Sequence, residues 1–145
     1  MKEKRWNTKS AEETIECGRV IGRALKPGSI VALIGDLGSG KTTLVKGIAA
    51  GLRVRNPKAV KSPTFVIQHI YEGPVALYHF DLYRLEGDSD AEAVGMDDFL
   101  GDSDGVSVIE WADRIPSVLK HSDLEVKLEH AGDTKRQICV TYHGH

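Results

Sequence analysis

The stretch GDLGSGKT, residues 35–42, decides how this chain reads, because it fits the pattern G-x-x-x-x-G-K-[ST] at every fixed position. It follows the short apolar run Ile30-Val31-Ala32-Leu33-Ile34 and opens into a segment whose apolar members Leu44, Val45, Ile48 and Leu52 recur at helical spacing. Strand, glycine loop, helix is the order that a phosphate cradle requires. Glycines let consecutive backbone N–H groups turn inward, so residues 38–43 form a ring of donors, and the start of the helix adds the positive end of its dipole. In this reading Gly38, Ser39, Gly40, Lys41, Thr42 and Thr43 hold the phosphates of a nucleotide. Lys41 lies between the β- and γ-phosphates, the Thr42 hydroxyl faces Mg2+, and Thr43 gives its N–H to the α-phosphate.

A magnesium site beside such a loop needs a carboxylate at the end of a neighbouring strand, and two segments end in one. VSVIE, residues 106–110, is a tight apolar run ending directly in Glu110 and is the better Walker-B-like candidate. VALYHFD, residues 75–81, is more polar and alternating, so Asp81 is expected to position water or a hydrated metal. The residues alone leave open an exchange of roles between the two acids.

Outward from this centre, Ser10 and Glu13 have capping-box spacing, and Ala11, Thr14, Ile15, Gly18, Ile21, Gly22 and Leu25 follow at helical intervals until Lys26-Pro27-Gly28 stops them. Ser62-Pro63 breaks the chain again. Segments 64–71 and 75–83, joined by Glu72-Gly73-Pro74, read as a hairpin, and 124–130 with 137–143 around Gly132-Asp133-Thr134 as a second one. Between them, acidic sequence from 86 to 105 surrounds a short helical candidate at 92–100. No repeat or linker divides the chain. The expectation is an α/β fold: a single P-loop NTPase-like domain over residues 1–145, with a mixed parallel/antiparallel sheet flanked by helices.

Composition narrows the function classes. Nineteen basic against twenty-one acidic residues give a formal charge of −2, which argues against a nucleic-acid binder working through overall charge. RVRNPKAVK, residues 53–61, is a local exception with four cations and no acid, enough to meet phosphate or an acidic partner. Cys17 and Cys139 lack CxxC spacing, so neither a zinc site nor a disulfide framework is implied. His69, His79, His121, His130, His143 and His145 show no H-x-x-x-H or cysteine partnership. Tyr78, Phe80 and Tyr83 have the period-two spacing of strand packing. With no apolar run of bilayer length and no signal-like core after the N-terminus, the expected location is cytoplasmic.

Taken together, GDLGSGKTTL, SPTF (residues 62–65), YHFDLYRL (78–85) and IEWAD (109–113), in that order, closely resemble the bacterial TsaE family, formerly YjeE, over nearly the whole chain. The resemblance implies a Mg-dependent ATPase subunit of the machinery that forms threonylcarbamoyladenosine beside the tRNA anticodon, so that the nucleotide on Gly38, Ser39, Gly40, Lys41, Thr42 and Thr43 is ATP. It implies binding to a TsaB–TsaD heterodimer, which ATP hydrolysis resets between turnovers, with tRNA met only through the complex. The family's metal ligands fall on Thr42 and Glu110, its catalytic acid on Asp81, and its switch-like segment on Ser62 and Thr64, with Thr64 sensing the γ-phosphate. Ser10 would lie by the adenine, as would, more weakly indicated, Arg136. Ser39 stands where alanine is common, a minor departure because its backbone does the work.

Two other classes compete. A small-molecule P-loop kinase needs an acceptor pocket and usually an Arg-bearing lid, whereas the long polar insert at 86–105 is acidic and holds no Arg or Lys. A GTPase would carry an NKxD tetrapeptide, and Asn56-Pro57-Lys58-Ala59 lacks the aspartate. Slow hydrolysis by the isolated chain is expected, since no arginine finger or lid is evident.

Overall fold

The computed structural model describes residues 2–36, 39–61, 68–83, 85 and 100–143. The helical candidate at 92–100, except Leu100, and the switch-like residues Ser62 and Thr64 lie outside these, as does Gly38. Among the described residues the strands are β1 (Lys2–Thr8), β2 (Ile30–Ile34), β3 (Gln68–Tyr71), β4 (Ala76–Asp81), β5 (Gly105–Glu110), β6 (Leu124–His130) and β7 (Arg136–Tyr142). The helices are α1 (Ala11–Ala24), α2 (Lys41–Gly51) and a short α3 (Pro116–His121), which follows a 3-10 turn at Ala112–Arg114.

All seven strands join one sheet in the order β1-β7-β6-β2-β5-β4-β3. The centre is parallel, β2 lying between β6 and β5 with β4 beyond, and the two expected hairpins, β3–β4 and β6–β7, form its antiparallel margins. The mixed α/β sheet is therefore as the sequence indicates. Two departures stand out. β1 pairs with β7 over its full length, although KEKRWNT carries no apolar alternation; as an edge strand it needs only a partner and a few inward side chains. The β4 strand is buried from Leu77 to Asp81 rather than alternating, because both faces of the sheet are covered there.

Parity along the strands sorts the core into two layers. Val31, Leu33, Leu77, Val106, Val108 and Val126 face α1 and α2, while Ile30, Ala32, Tyr78, Phe80 and Ile109 face the 3-10 turn and α3. Ser10 caps α1 from an extended backbone: its Oγ accepts from Glu13 N at 3.1 Å, and the Glu13 carboxylate returns the favour by accepting from Lys9 N at 3.1 Å.

The two helices on the first layer run side by side at backbone contact. A Cβ placed on Gly18 would lie 2.3 Å from Leu44 O, and one on Gly47 2.1 Å from Ile15 O, closer than any side chain tolerates. Gly22 and Gly51 repeat the arrangement one turn further on, against Ile48 O at 2.4 Å and Arg19 O at 2.5 Å. This close seat fixes where α2 begins relative to the first turn of α1, and so positions the loop that feeds α2.

Candidate functional site

The parallel strands end together. Asp81 and Glu110 are register partners on β4 and β5, and Leu33 on β2 is the register partner of Glu110 on its other side. All three have the parity that faces α1 and α2. Two residues after Leu33 the glycine loop starts, so the row Asp81, Glu110, Leu33 sets two carboxylates beside the base of the loop. Both acids are almost fully enclosed, Asp81 at 3% and Glu110 at 2% exposure. Their adjacency is not encoded in the spacing of the chain; the strand register supplies it.

Gly40, the last residue before α2, has φ +102°, a left-handed conformation that admits glycine and strains other residues. Ser39 is buried, its N–H donating to Asp36 O at 3.0 Å and its Oγ without a partner among the described residues. Lys41 opens α2 at 6% exposure, and its ammonium donates to Gly35 O, at the loop's own start. Its Nζ also lies 3.6 Å from the centroid of the Trp111 ring, a cation–π contact. Burial pushes the Lys41 pKa down, and the charges of Glu110, Asp81, Asp113 and Asp36 oppose that shift. The ammonium thus feels the charge of both strand-end acids.

Trp111 reaches Lys41 because the chain leaves β5 through a left-handed residue, with Trp111 at φ +58°. That conformation costs a side-chain-bearing residue roughly 1–2 kcal/mol. Tyr83 packs on the same indole with ring centroids 5.1 Å apart, and Arg114 lies over it at 5.5 Å. Asp81 is oriented from its other side, its Oδ1 accepting from Tyr83 N at 2.9 Å.

Thr42 and Thr43 are half-buried on the first turn of α2. A pocket of about 130 Å³ lies against this turn, lined by Ala11, Thr14, Gly40, Thr43, Asp133, Thr134 and Arg136. Arg136 crosses to Gly40, its Nε 3.5 Å from where a Cβ would sit there. Ser10 borders this pocket only through α1, since its hydroxyl is committed to the helix cap. The basic segment 53–61 is elsewhere: Arg53 and Arg55 line a separate surface groove with Glu72, to which Arg55 pairs at 3.4 Å.

The arrangement fits a nucleotide with its metal. The glycine turn at Gly40, the N-terminal turn of α2 and an enclosed ammonium offer donors only, as a polyphosphate requires, and a neighbouring pocket is open beside them. Among the described residues no group of three or more His, Cys, Asp and Glu forms a metal cage. A magnesium ion held by one hydroxyl, one carboxylate and phosphate oxygens needs none.

One residue escaped the sequence. His79 looked unpartnered, yet its Nε2 lies 2.5 Å from Glu110 Oε2 with both side chains buried. Its place two residues before Asp81 put it on the same strand face, the one signal available. The neighbour across the sheet, 31 positions away, was invisible to spacing.

Fold and site define a protein of the P-loop NTPase-like class. The family model described as "Threonylcarbamoyl adenosine biosynthesis protein TsaE" matches residues 8–138. Relatives bearing the name tRNA threonylcarbamoyladenosine biosynthesis protein TsaE include that of Bacillus subtilis (strain 168), 39% identical over 142 residues, covering 97% of this chain and 87% of the relative. That of Treponema pallidum (strain Nichols) is 39% identical over 133 residues, covering 92% and 96%. The crystal structure of Bacillus subtilis YdiB superposes with a TM-score of 0.76 at 33% identity, covering 99% of this chain and 87% of that one. The chain belongs to the TsaE family. Among the described residues no helix is long and apolar enough to cross a membrane.

Proposed function

We propose that this protein binds ATP with Mg2+ and hydrolyses it as a subunit of the machinery that forms threonylcarbamoyladenosine on tRNA. The observation that carries the reading is the row of Asp81 and Glu110 in register beside the strand that feeds the glycine loop. The names of the relatives supply the pathway.

In this reading residues 38–43 bind the phosphates, with the Thr43 N–H on the α-phosphate. Lys41 leaves Gly35 O and the Trp111 face to stand between the β- and γ-phosphates, where its charge offsets the charge that develops on transfer. Thr42 and Glu110 would hold Mg2+, which neutralises phosphate charge and fixes the polyphosphate geometry. Asp81, held by the Tyr83 N–H, orients the attacking water. Ser62 and Thr64 form the switch-like segment, and the pocket beside Thr14, Thr43 and Arg136 takes the adenine, with Ser10 shaping its α1 wall through the cap.

Hydrolysis resets a complex with the family's TsaB–TsaD heterodimer, and tRNA is met through that complex. Phosphate release should be slow for the isolated chain and faster with TsaB–TsaD of the same organism. Release that requires an added small-molecule acceptor would instead indicate a kinase. Equal rates with and without the heterodimer would indicate an independent enzyme.

A further inference from the structure

We propose that His79 is a positioning residue for Glu110, holding one oxygen of its carboxylate from beneath the site so that the other is the oxygen through which Glu110 serves the nucleotide's magnesium. The inference rests on the reading of Glu110 given above.

The placement is specific. His79 lies on β4 opposite Val108, and Asp81 opposite Glu110, so the His79–Glu110 contact runs diagonally between adjacent parallel strands on one face of the sheet. The ring is fully buried on a face it shares with Leu77 and Asp81 along β4, between Val108 on β5 and His69 on β3, its register partners. The carboxylate accepts, so Nε2 carries a hydrogen and donates it. Nδ1 has no partner among the described residues. A leucine would fill such a place without leaving a polar atom unpaired, and an unmet buried polar atom is costly. The 2.5 Å contact with Glu110 is the hydrogen bond that the ring makes among the described residues.

Its effect follows from the side chain it grips. The terminal torsion of a glutamate is broad and roughly two-fold, so an unrestrained carboxylate presents its oxygens interchangeably. A donor fixed in the strand below takes Oε2 and fixes that torsion. Neighbours that orient a metal ligand in this way raise affinity without touching the ion.

The test is calorimetric titration of ADP in Mg2+ and, separately, in EDTA, the ratio of the two affinities measuring the help given by the metal. His79→Leu and His79→Asn should lower that ratio about tenfold or more with affinity in EDTA unchanged. His79→Gln, whose amide nitrogen reaches the former Nε2 position, should restore it to within about threefold. A ratio unchanged in His79→Leu and His79→Asn overturns the proposal, as does a loss that His79→Gln shares. Glu110→Gln separates the two levels: an intact ratio there removes the reading of Glu110 itself, whereas a lost ratio beside unaffected His79 variants removes only the role of His79. If the His79 variants do not fold, the wild-type imidazole is observed by nitrogen NMR. Its Nε2 resonance should move on adding Mg2+ with ADP and not on adding ADP in EDTA, and an unmoved resonance overturns the proposal.

Discussion

The two flanks of the sheet treat charge in opposite ways. The strands β2, β5 and β4 are covered on both faces, and the acids at the ends of β4 and β5 are enclosed and gripped by neighbours. The strands β6, β7 and β1 are covered on one face. Their other face carries Glu3, Arg5, Lys127, Glu129 and Gln137 in water, around a shallow depression of about 360 Å³. Identical residue types therefore carry different information in the two regions. A carboxylate on the open flank is solvated and replaceable, whereas one at the end of a covered strand is retained against its desolvation cost and so marks the site.

The largest effect expected from breaking this contrast is at Lys41. Lys41→Ala should lower hydrolysis, measured as phosphate release with the partner proteins present, by about a hundredfold or more, since the proposed reading aims this charge at the transferring phosphoryl group. The folded fraction by circular dichroism should be retained, because losing the Gly35 O and Trp111 contacts is offset by removing a buried charge. Normal turnover in that variant would dissolve the distinction between enclosed and solvated charge at this end of the sheet.

Next comes the core beneath the site. Ile109→Ala, on a fully buried position of β5, should cost about 2–5 kcal/mol in urea unfolding. Lys127→Ala on the open flank should stay within about 0.5 kcal/mol. Equal losses would mean that the open face is covered in solution.

How far the sequence disclosed all this depended on the same contrast. Doubly covered strands are continuous apolar runs, so β2 and β5 were legible, and so was the loop between β2 and α2, whose glycines have a stated mechanical purpose. The β1 strand was not legible, because Lys2 to Arg5 are exposed and an edge strand is specified by the partner that offers it hydrogen bonds. Asp81 and Glu110 could be named from their strand ends, but their adjacency belongs to register, which short-range periodicity does not encode. The partner of His79 was hidden for the same reason, and Trp111 could be placed beside the site only as the residue after Glu110, its seat on Lys41 being reached across a left-handed turn.

A smaller effect sharpens the view of α1. Ser10→Ala removes the acceptor for Glu13 N and should cost about 0.5–2 kcal/mol, read by chemical unfolding. If Ser10 acts on nucleotide only by fixing the first turn, ADP affinity should fall no more than stability suggests, whereas a larger fall would assign its hydroxyl a direct contact.

Smallest in energy, and diagnostic of the flanks, is thiol labelling. Burial pushes the Cys17 thiol up to about 12, so at pH 8 only about one molecule in ten thousand carries the thiolate. Cys139 lies at the surface depression of the open flank. Iodoacetamide at pH 8 should therefore modify Cys139 alone, as read by peptide mass, with Cys17 reacting only on unfolding. Early modification of Cys17 would show that the α1 layer opens locally.

The glycine seat between α1 and α2 makes the cleft at their first turns a slot of fixed gauge. Where side chains separate two helices, a change of rotamer can let the helices slide or spread, but here main chain rests on main chain at Gly18, Gly22, Gly47 and Gly51, leaving nothing to re-pack. The distance between Thr14 and Thr43 is then set like the jaw of a locked calliper, in the loaded and the empty protein alike. Adjustment to a guest falls to the third wall, the β6–β7 turn with Asp133, Thr134 and Arg136; if the pocket takes the base as proposed, substitutions at Asp133 and Thr134 should alter which base is accepted more than how its phosphates are held.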